Sequence, residues 1–141
     1  MSYSVGYSQS LEILFYIDLK TKIGAETYLT IQQISNTLNI PVPSVKRLVG
    51  MLKKAELLDS KKGTKGGLAL AKDASDITMY DVFEAIEGSS SLFKIYDDFN
   101  TDAFVHKNEA KRMLKSIEDV LSVSENAMIN ELKKKTLADF F

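Results

Sequence analysis

Apolar residues recur at helical spacing along much of the chain. Between residues 8 and 22, the residues that share this spacing are Leu11, Leu14, Phe15 and Leu19. A period near 3.6 residues predicts an amphipathic helix there, and Gly24 supplies its end.

A second and a third predicted helix follow closely. Thr30 with Gln33 three residues later forms a capping-box pattern, which predicts a short helix that ends near Asn39. Pro41 and Pro43 fit only extended or first-turn positions, so the next helix is expected to begin at residues 42–44 and to run to about residue 55. Its predicted inward stripe consists of Val45, Leu48, Val49 and Leu52. Helices of these lengths joined by a short turn have the proportions of a helix-turn-helix.

The residues after the third helix predict a β-hairpin. Two short stretches, 57–61, which begins with two leucines, and the apolar 68–71, flank a turn that is rich in glycine and lysine, residues 62–67. Glycine in a short connection between strands is typical of hairpins. A helix-turn-helix followed directly by a basic hairpin is a winged helix. The fold is therefore predicted to be mainly α with a small β-hairpin wing.

A further short helix is predicted beyond the wing. Thr78 is its expected N-cap, Asp81 lies where its charge favours the positive helix end, and Gly88 closes it. The next residues are polar and irregular in pattern. We divide the chain into a winged helix-turn-helix at 1–88, a linker or effector loop at 89–107, and a dimerisation helix with a tail at 108–141.

A long helix is predicted from about residue 108 to residue 134. Its apolar seam alternates steps of four and three residues and consists of Ala110, Leu114, Ile117, Leu121, Ser124 and Met128. Such a helix is about 37 Å long at about 1.5 Å per residue, longer than a small winged-helix core can cover. We therefore expect a homodimer with contacts at Ala110, Leu114, Ile117, Leu121 and Met128. Packing within its own chain is the alternative.

Charge is distributed unevenly along the chain. The formal net charge is −1, yet residues 41–72 hold eight basic residues against two acidic ones. We call this stretch the basic island. A basic stretch in an otherwise acidic chain is expected where one face meets phosphate, so double-stranded DNA is the predicted partner. An ordinary lysine-rich surface is the alternative.

The position of a residue within the helix-turn-helix indicates which part of the DNA it is expected to contact. The N-terminal part of its second helix enters the major groove, and Arg47 there is the candidate for a bidentate contact to guanine. Lysines are expected mainly at phosphates, although each could instead be a solvated charge. The full set of expected DNA contacts is Thr30, Gln32, Pro43, Ser44, Lys46, Arg47, Lys53, Lys54, Lys62, Thr64 and Lys65. Two such heads on a two-fold axis call for a palindromic operator.

Composition argues against several functional classes. The chain has no cysteine and one histidine, which excludes disulfides, thiolate catalysis and cysteine-zinc sites. It lacks HExxH, P-loop and GxGxxG patterns, so catalysis is not expected. No apolar run approaches the roughly 20 residues of a membrane span, and no signal-peptide pattern is present. No membrane partner and a cytoplasmic location are expected.

Four segments resemble one family. They are VKRLVGMLKKAELL at 45–58, KKGTKGGLALAK at 61–72, ITMYDVFEAIEG at 77–88 and the ending KKKTLADFF at 133–141. Together they are similar to the Rrf2 (IscR-like) family of bacterial winged-helix transcription regulators. The resemblance covers nearly the whole chain and implies a dimeric, sequence-specific DNA-binding regulator, which we expect to be a repressor.

The chain also departs from that family's pattern. Glu56 stands where glycine is common, Leu68 where an aromatic residue is common, and Lys62 where arginine is common. Lysine is a hydrated point charge and lacks arginine's planar fork, which alters how the wing tip engages a minor groove. Cluster-bearing members carry three cysteines between residues 88 and 107, and this chain has none. A cysteine-ligated iron–sulfur cluster is therefore excluded, His106 alone cannot hold one, and no cofactor is expected in this cysteine-free subgroup.

Two other interpretations stay open. The winged helix could be a protein interaction module without DNA binding, but the outward face of its third helix should then be acidic or apolar. Here that face is basic. A small-molecule effector could also occupy a pocket between the winged head and the long helix. The aromatic residues that would line it, or that would simply form core, are Phe93, Tyr96, Phe99 and Phe104.

Overall fold

The computed structural model describes residues 4–24, 28–96 and 98–140. Within these ranges the chain is mainly helical with one antiparallel hairpin, as predicted. The elements in chain order are α1 (Val5–Ile23), α2 (Ile31–Leu38), α3 (Val42–Lys54), β1 (Leu58–Lys61), β2 (Gly67–Leu70), α4 (Met79–Glu87) and α5 (Lys107–Lys133). Short 3₁₀ turns lie at Ala74–Asp76, Thr101–Ala103 and Leu137–Phe140.

The chain forms two compact units. Unit 1 extends to Ser89 and includes the residues from Leu132 onward, and unit 2 is Ser90–Glu131. The expected segment 108–141 is thus divided, since most of α5 lies in unit 2 and the residues after it pack in unit 1. Unit 1 holds the main hydrophobic core, which is built from α1, α2, α3, the hairpin, α4 and Leu137.

Helix α1 is longer than the predicted 8–22, and its buried stripe matches the predicted one only in part: Leu14 is buried, and Leu11 and Phe15 are half-buried against the core. Ile13, Leu14 and Ile17 are fully buried, whereas Leu19 of the predicted stripe is 36% exposed. The stretch from Leu11 to Ile17 is apolar at nearly every position, so periodicity alone could not identify the buried face. The helix starts earlier because Ser4, its N-cap, is held in place. The Ser4 backbone N and Oγ both donate to Glu87 Oε1, at 3.0 and 3.1 Å.

Tyr7 fastens α1 to α4. Its hydroxyl donates to the Met79 carbonyl at 2.8 Å, and its ring meets Phe83 edge-on with centroids 5.4 Å apart. Burial raises the pKa of the Tyr7 phenol to about 12, because the charged form is penalised away from water. The phenol therefore stays neutral and remains a donor at any physiological pH.

The capping predictions for α2 and α4 are confirmed. Thr30 Oγ1 accepts from the Gln33 backbone N while Gln33 Oε1 accepts from the Thr30 N, at 3.1 and 2.8 Å. Thr78 and Asp81 make the same reciprocal pair at the start of α4. Helix α4 ends at Gly88, also as predicted. Each box satisfies backbone donors that a helix start leaves open.

The C-terminal residues return to the unit 1 core, which sequence patterns did not predict. The Leu137 backbone N donates to the Ile77 carbonyl and the Met79 N to the Lys135 carbonyl, both at 2.9 Å. Leu137 itself is fully buried. Phe140 packs edge-on against Phe15 with ring centroids 5.1 Å apart. These contacts fix the segment after α5 beside the start of α4.

Glu56 occupies a backbone conformation that favours glycine. Its φ is +61°, and it follows α3 at the position where a left-handed residue ends a helix. The Leu57 N donates to the Leu52 carbonyl at 2.9 Å and the Glu56 N to the Lys53 carbonyl at 3.0 Å. This is the Schellman pattern. The steric requirement of this turn is one that glycine meets without strain, which accounts for the glycine that the resemblance leads us to expect at the position of Glu56.

Replacing Glu56 with glycine should stabilise the protein. A residue with a Cβ pays a strain of roughly 1 kcal/mol in the left-handed region, and Glu56→Gly removes it. We expect the free energy of unfolding in urea to rise by about 1 kcal/mol. Glu56→Ala, which removes the carboxylate but keeps the Cβ, is the control and should gain much less. An equal gain in both variants would attribute the effect to charge instead.

Candidate nucleic-acid interface

Helix α3 presents a basic surface opposite its buried stripe. Val45, Leu48, Val49 and Leu52 are all buried, as predicted. The exposed residues of the helix include Pro43, Lys46, Arg47, Gly50, Lys53 and Lys54, while Ser44 is half-buried. We call this set the α3 outer face.

The turn before α3 has a fixed geometry. Asn39 ends α2 in the left-handed region with a φ of +54°, and the following residue, Ile40, is buried. Ser35 Oγ donates to the Ile40 carbonyl at 2.6 Å. Pro41 then serves as the N-cap, and its carbonyl accepts from the Ser44 and Val45 N atoms, both at 3.0 Å. The polar turn is thereby anchored on both sides, which sets the direction of α3.

The expected contacts at the start of α2 are already engaged within the chain. Thr30 Oγ1 is an acceptor in the capping box, although its hydroxyl hydrogen can still be donated outward. Gln32 Nε2 donates to Asn36 Oδ1 at 2.9 Å. Both residues are exposed. A phosphate at this helix start would have to compete with the Gln32–Asn36 hydrogen bond.

The wing is a tight hairpin with its basic residues outward. Strand β1 pairs with β2 from Leu58 opposite Leu70 to Lys61 opposite Gly67. The Gly66 N donates to the Gly63 carbonyl at 3.1 Å and closes the turn. Lys62, Thr64 and Lys65 are exposed at the tip. The wing thus presents two ammonium groups and one hydroxyl from one short loop.

A single residue before α2 adds a third chain segment to the wing, and sequence analysis missed it. Leu29 pairs with Leu68 through two backbone hydrogen bonds of 3.0 and 2.7 Å. Next to it, Lys61 Nζ lies over the Tyr28 ring, 5.5 Å from its centroid. Tyr28 is therefore a further residue at the base of the wing. The alternation of polar and apolar residues at 28–30 was the only signal, and it is too short to predict a strand.

The cations of the outer face and wing tip are free of ion pairs within the described residues. The described part of the chain has salt bridges on α1 and α5, between Lys22 and Asp18, Arg112 and Glu109, and Lys115 and Asp119. Arg47 Nη1 makes only a weak contact with Met51 Sδ, at 3.9 Å. The positive charge on this surface is therefore not neutralised inside the chain.

Helix α5 carries the predicted seam with variable exposure. Ala110 is buried, Leu114, Leu121 and Met128 are half-buried, and Ile117 is 47% exposed. Further apolar side chains along the helix are more exposed, namely Met113, Val120 and Val123. The single chain therefore leaves much apolar surface of α5 in contact with water.

The aromatic residues considered for an effector pocket lie mostly at the surface. Phe93, Tyr96 and Phe104 are exposed, and Phe99 is half-buried. Phe99 and Phe104 stack with ring centroids 5.4 Å apart. Neither a core role nor an enclosed pocket is evident for these residues in unit 2 taken by itself.

Comparisons with known proteins agree on one family. The profile of Rrf2, described as an iron-dependent transcriptional regulator, matches residues 3–141. YwgB of Bacillus subtilis (strain 168), described as an HTH-type transcriptional regulator, is 35% identical over 94 residues, which cover 67% of this chain and 58% of YwgB. YwnA of the same organism carries the same description and is 28% identical over 92% of this chain and 90% of its own length.

A solved structure supports the same fold. IscR of T. potens superposes with a TM-score of 0.62 at 26% identity, covering 99% of this chain and 85% of the IscR chain. The two chains thus share a fold along almost the full length of this chain. The chain spans somewhat more than half of YwgB and most of YwnA and IscR.

The residues present do not fit an iron–sulfur cluster. The sequence contains no cysteine, so thiolate ligation is impossible. Among the described residues no group of three or more histidine, aspartate or glutamate side chains is placed to hold a metal ion. The iron dependence named in the family description therefore has no matching set of ligands among the described residues of this chain. The described helices also include none that is long and apolar enough to cross a membrane.

Replacing Gly66 with alanine should disrupt the wing. A Cβ at this position would lie 2.0 Å from the Lys61 carbonyl oxygen, a backbone atom that cannot move without opening the hairpin. We expect the free energy of unfolding in urea to fall by more than about 1 kcal/mol.

The control for this variant is Thr64→Ala at the exposed wing tip. An exposed substitution away from special backbone geometry should change the stability by no more than about 0.5 kcal/mol. If Gly66→Ala were as stable as Thr64→Ala, the close approach of Gly66 to Lys61 would be refuted.

Proposed function

Because the chain belongs to the Rrf2 family of transcriptional regulators, we propose that it binds a palindromic operator as a homodimer and represses transcription there. The chain is a DNA-binding regulator and not an enzyme, in line with its relatives. The α3 outer face and the wing tip support binding to an operator, and the apolar surface of α5 supports a dimer. Repression is the direction of regulation expected from the family resemblance.

The single observation that carries the proposal is the uncompensated positive charge of the α3 outer face and wing tip. Both surfaces belong to unit 1, and the basic island around them holds eight basic residues against two acidic ones. Phosphate neutralisation by such cations releases counterions and provides most of the non-specific affinity for duplex DNA. A winged helix that binds only another protein would not require this positive charge on its outer face.

Base reading is assigned to the first turns of α3. Arg47 is exposed, and among the described residues its guanidinium makes a weak hydrogen bond to Met51 Sδ and no ion pair, so it can turn toward a guanine edge. A bidentate arginine–guanine pair contributes about 1–3 kcal/mol of discrimination. Lys46 and the half-buried Ser44 share the same end of the helix. Pro43 adds an apolar contact and has no amide hydrogen to satisfy.

Dimer formation is assigned to α5. Its exposed apolar side chains include Ile117 at 47%, Val120 at 63% and Val123 at 68% exposure. An apolar stripe left in water on a long helix is typical of a surface that is covered by a partner. A second copy supplies a self-complementary stripe through a two-fold axis. Two heads related by this axis would contact half-sites about 34–36 Å apart, or at a multiple of this spacing.

Replacing Arg47 with alanine should weaken binding to the operator. The test uses a duplex selected from a random library and measures affinity by fluorescence anisotropy across a salt series. We expect a loss of about tenfold or more for the selected duplex, and less for a random duplex, because a base contact is removed. For the unmodified protein, affinity should fall steeply with salt.

The matched control is Lys94→Ala, which removes an exposed cation outside the basic island. It should bind the operator with nearly unchanged affinity. Wild-type binding that does not respond to salt, or an Arg47→Ala protein that binds like wild type, would contradict this mode of recognition.

A charge in the α5 seam should dissociate the dimer. Ile117→Glu would place a carboxylate in a buried apolar contact, which costs several kcal/mol unless the subunits separate. Sedimentation velocity should show a monomer for Ile117→Glu and a dimer for the wild type. Ser122→Glu is the control, because Ser122 is exposed and lies about 140° around α5 from Ile117 and about 160° from Val120. A dimer that survives Ile117→Glu would rule out the seam as the interface.

A further inference from the structure

Gly50 lies in the middle of α3, where glycine lowers the stability of a helix. No contact described for this residue explains its presence there. Glycine inside a helix is less favourable than alanine, because it loses more conformational freedom on folding. A Cβ built on Gly50 would meet no atom within 4 Å, and its φ is not in the left-handed region. By contrast, a Cβ on Gly6 of α1 would lie 3.1 Å from Leu48 Cδ2. Neither packing nor backbone conformation requires glycine at position 50.

Four cations surround Gly50 on the exposed surface of α3. The residues three and four positions before it are Arg47 and Lys46, and those three and four positions after it are Lys53 and Lys54. Positions separated by three or four residues are neighbours on a helix surface. All four side chains are exposed, and none forms an ion pair in the described parts of the chain. The result is a bare patch of helix between two pairs of positive charges.

We propose that this patch, centred on Gly50, seats a backbone phosphate of bound duplex DNA. Without a Cβ the helix surface is open, so a phosphate can approach the four cations more closely than any side chain would allow. Charge-assisted contacts strengthen as the separation decreases. The inference rests on the proposed DNA-binding function and adds a specific requirement, namely that position 50 be without a side chain.

The location suits a phosphate better than a base. Base contacts in a helix-turn-helix come mainly from the N-terminal residues of the second helix, and Gly50 lies further along. As that helix leaves the groove, the sugar–phosphate backbone is the nearest part of the duplex. Contacts of this kind position the protein but carry no sequence information. Loss of this phosphate contact should therefore weaken binding to all duplexes by a similar factor.

The test compares Gly50→Ala and Gly50→Leu with the wild type. Both variants should melt at a higher temperature, since alanine and leucine favour helix. Both should bind more weakly, with a loss of about fivefold to tenfold for alanine and a larger loss for leucine. The loss should be equal for the selected operator and for a random duplex. For Gly50→Leu, the plot of log affinity against log salt should become less steep, by the amount that one phosphate contact contributes to the slope.

Asn126→Ala on the exposed side of α5 is the matched control. It also gains helix propensity but should leave the affinity and the salt slope unchanged. If wild type binds DNA and both Gly50 variants bind with the same affinity and slope, the phosphate seat is overturned while the proposed function stands. A loss confined to the operator would also overturn it, because that pattern indicates a base contact. Absence of any wild-type binding would reject the proposed function and the seat together.

Discussion

The backbone pairing of Leu29 with Leu68 is the constraint on which the arrangement of the winged head depends. Its two hydrogen bonds, of 3.0 and 2.7 Å, join the residue before the Thr30 N-cap to strand β2. Both leucines are almost completely buried. The approach is possible because Gly67 has no side chain, as a Cβ there would lie 2.6 Å from the Leu29 carbonyl oxygen. The wing and the helix-turn-helix are thereby fastened to each other, and their basic residues are presented by one compact unit.

Features set by local chemistry could be predicted from the sequence. The capping boxes at Thr30 and Thr78 involve residues three positions apart, and the α3 stripe repeats with a clear helical period. The proline positions before α3 are decided by their own covalent geometry. In each case the information lies within one or two helical turns. The winged-helix fold followed from the order of these elements, because few folds place a basic hairpin directly after a helix-turn-helix.

Features set by distant contacts could not be predicted. The pairing of Leu29 and the burial of Leu137 both depend on partners far along the chain. The buried face of α1 was predicted only in part, because nearly every side chain in its centre is apolar and the helical period is therefore poorly defined there. Glu56 illustrates a third case. The sequence shows a glutamate at a position where the resemblance leads us to expect glycine. Only the backbone φ of +61° shows why, because glycine adopts this left-handed conformation without strain. For the site, exposure of the α3 cations followed from the pattern, whereas the vacant surface around Gly50 required the surrounding packing.

A slightly acidic protein can present a strongly basic surface because electrostatic contacts are local. At physiological ionic strength charges are screened beyond about 8 Å, so a phosphate at α3 responds to the nearby lysines and hardly to the net charge of −1. The acidic remainder still limits adhesion to nucleic acid elsewhere on the molecule. The same chain lacks the cysteines that hold a cluster in iron–sulfur regulators. The proposed DNA-binding surface is thus independent of thiolate chemistry.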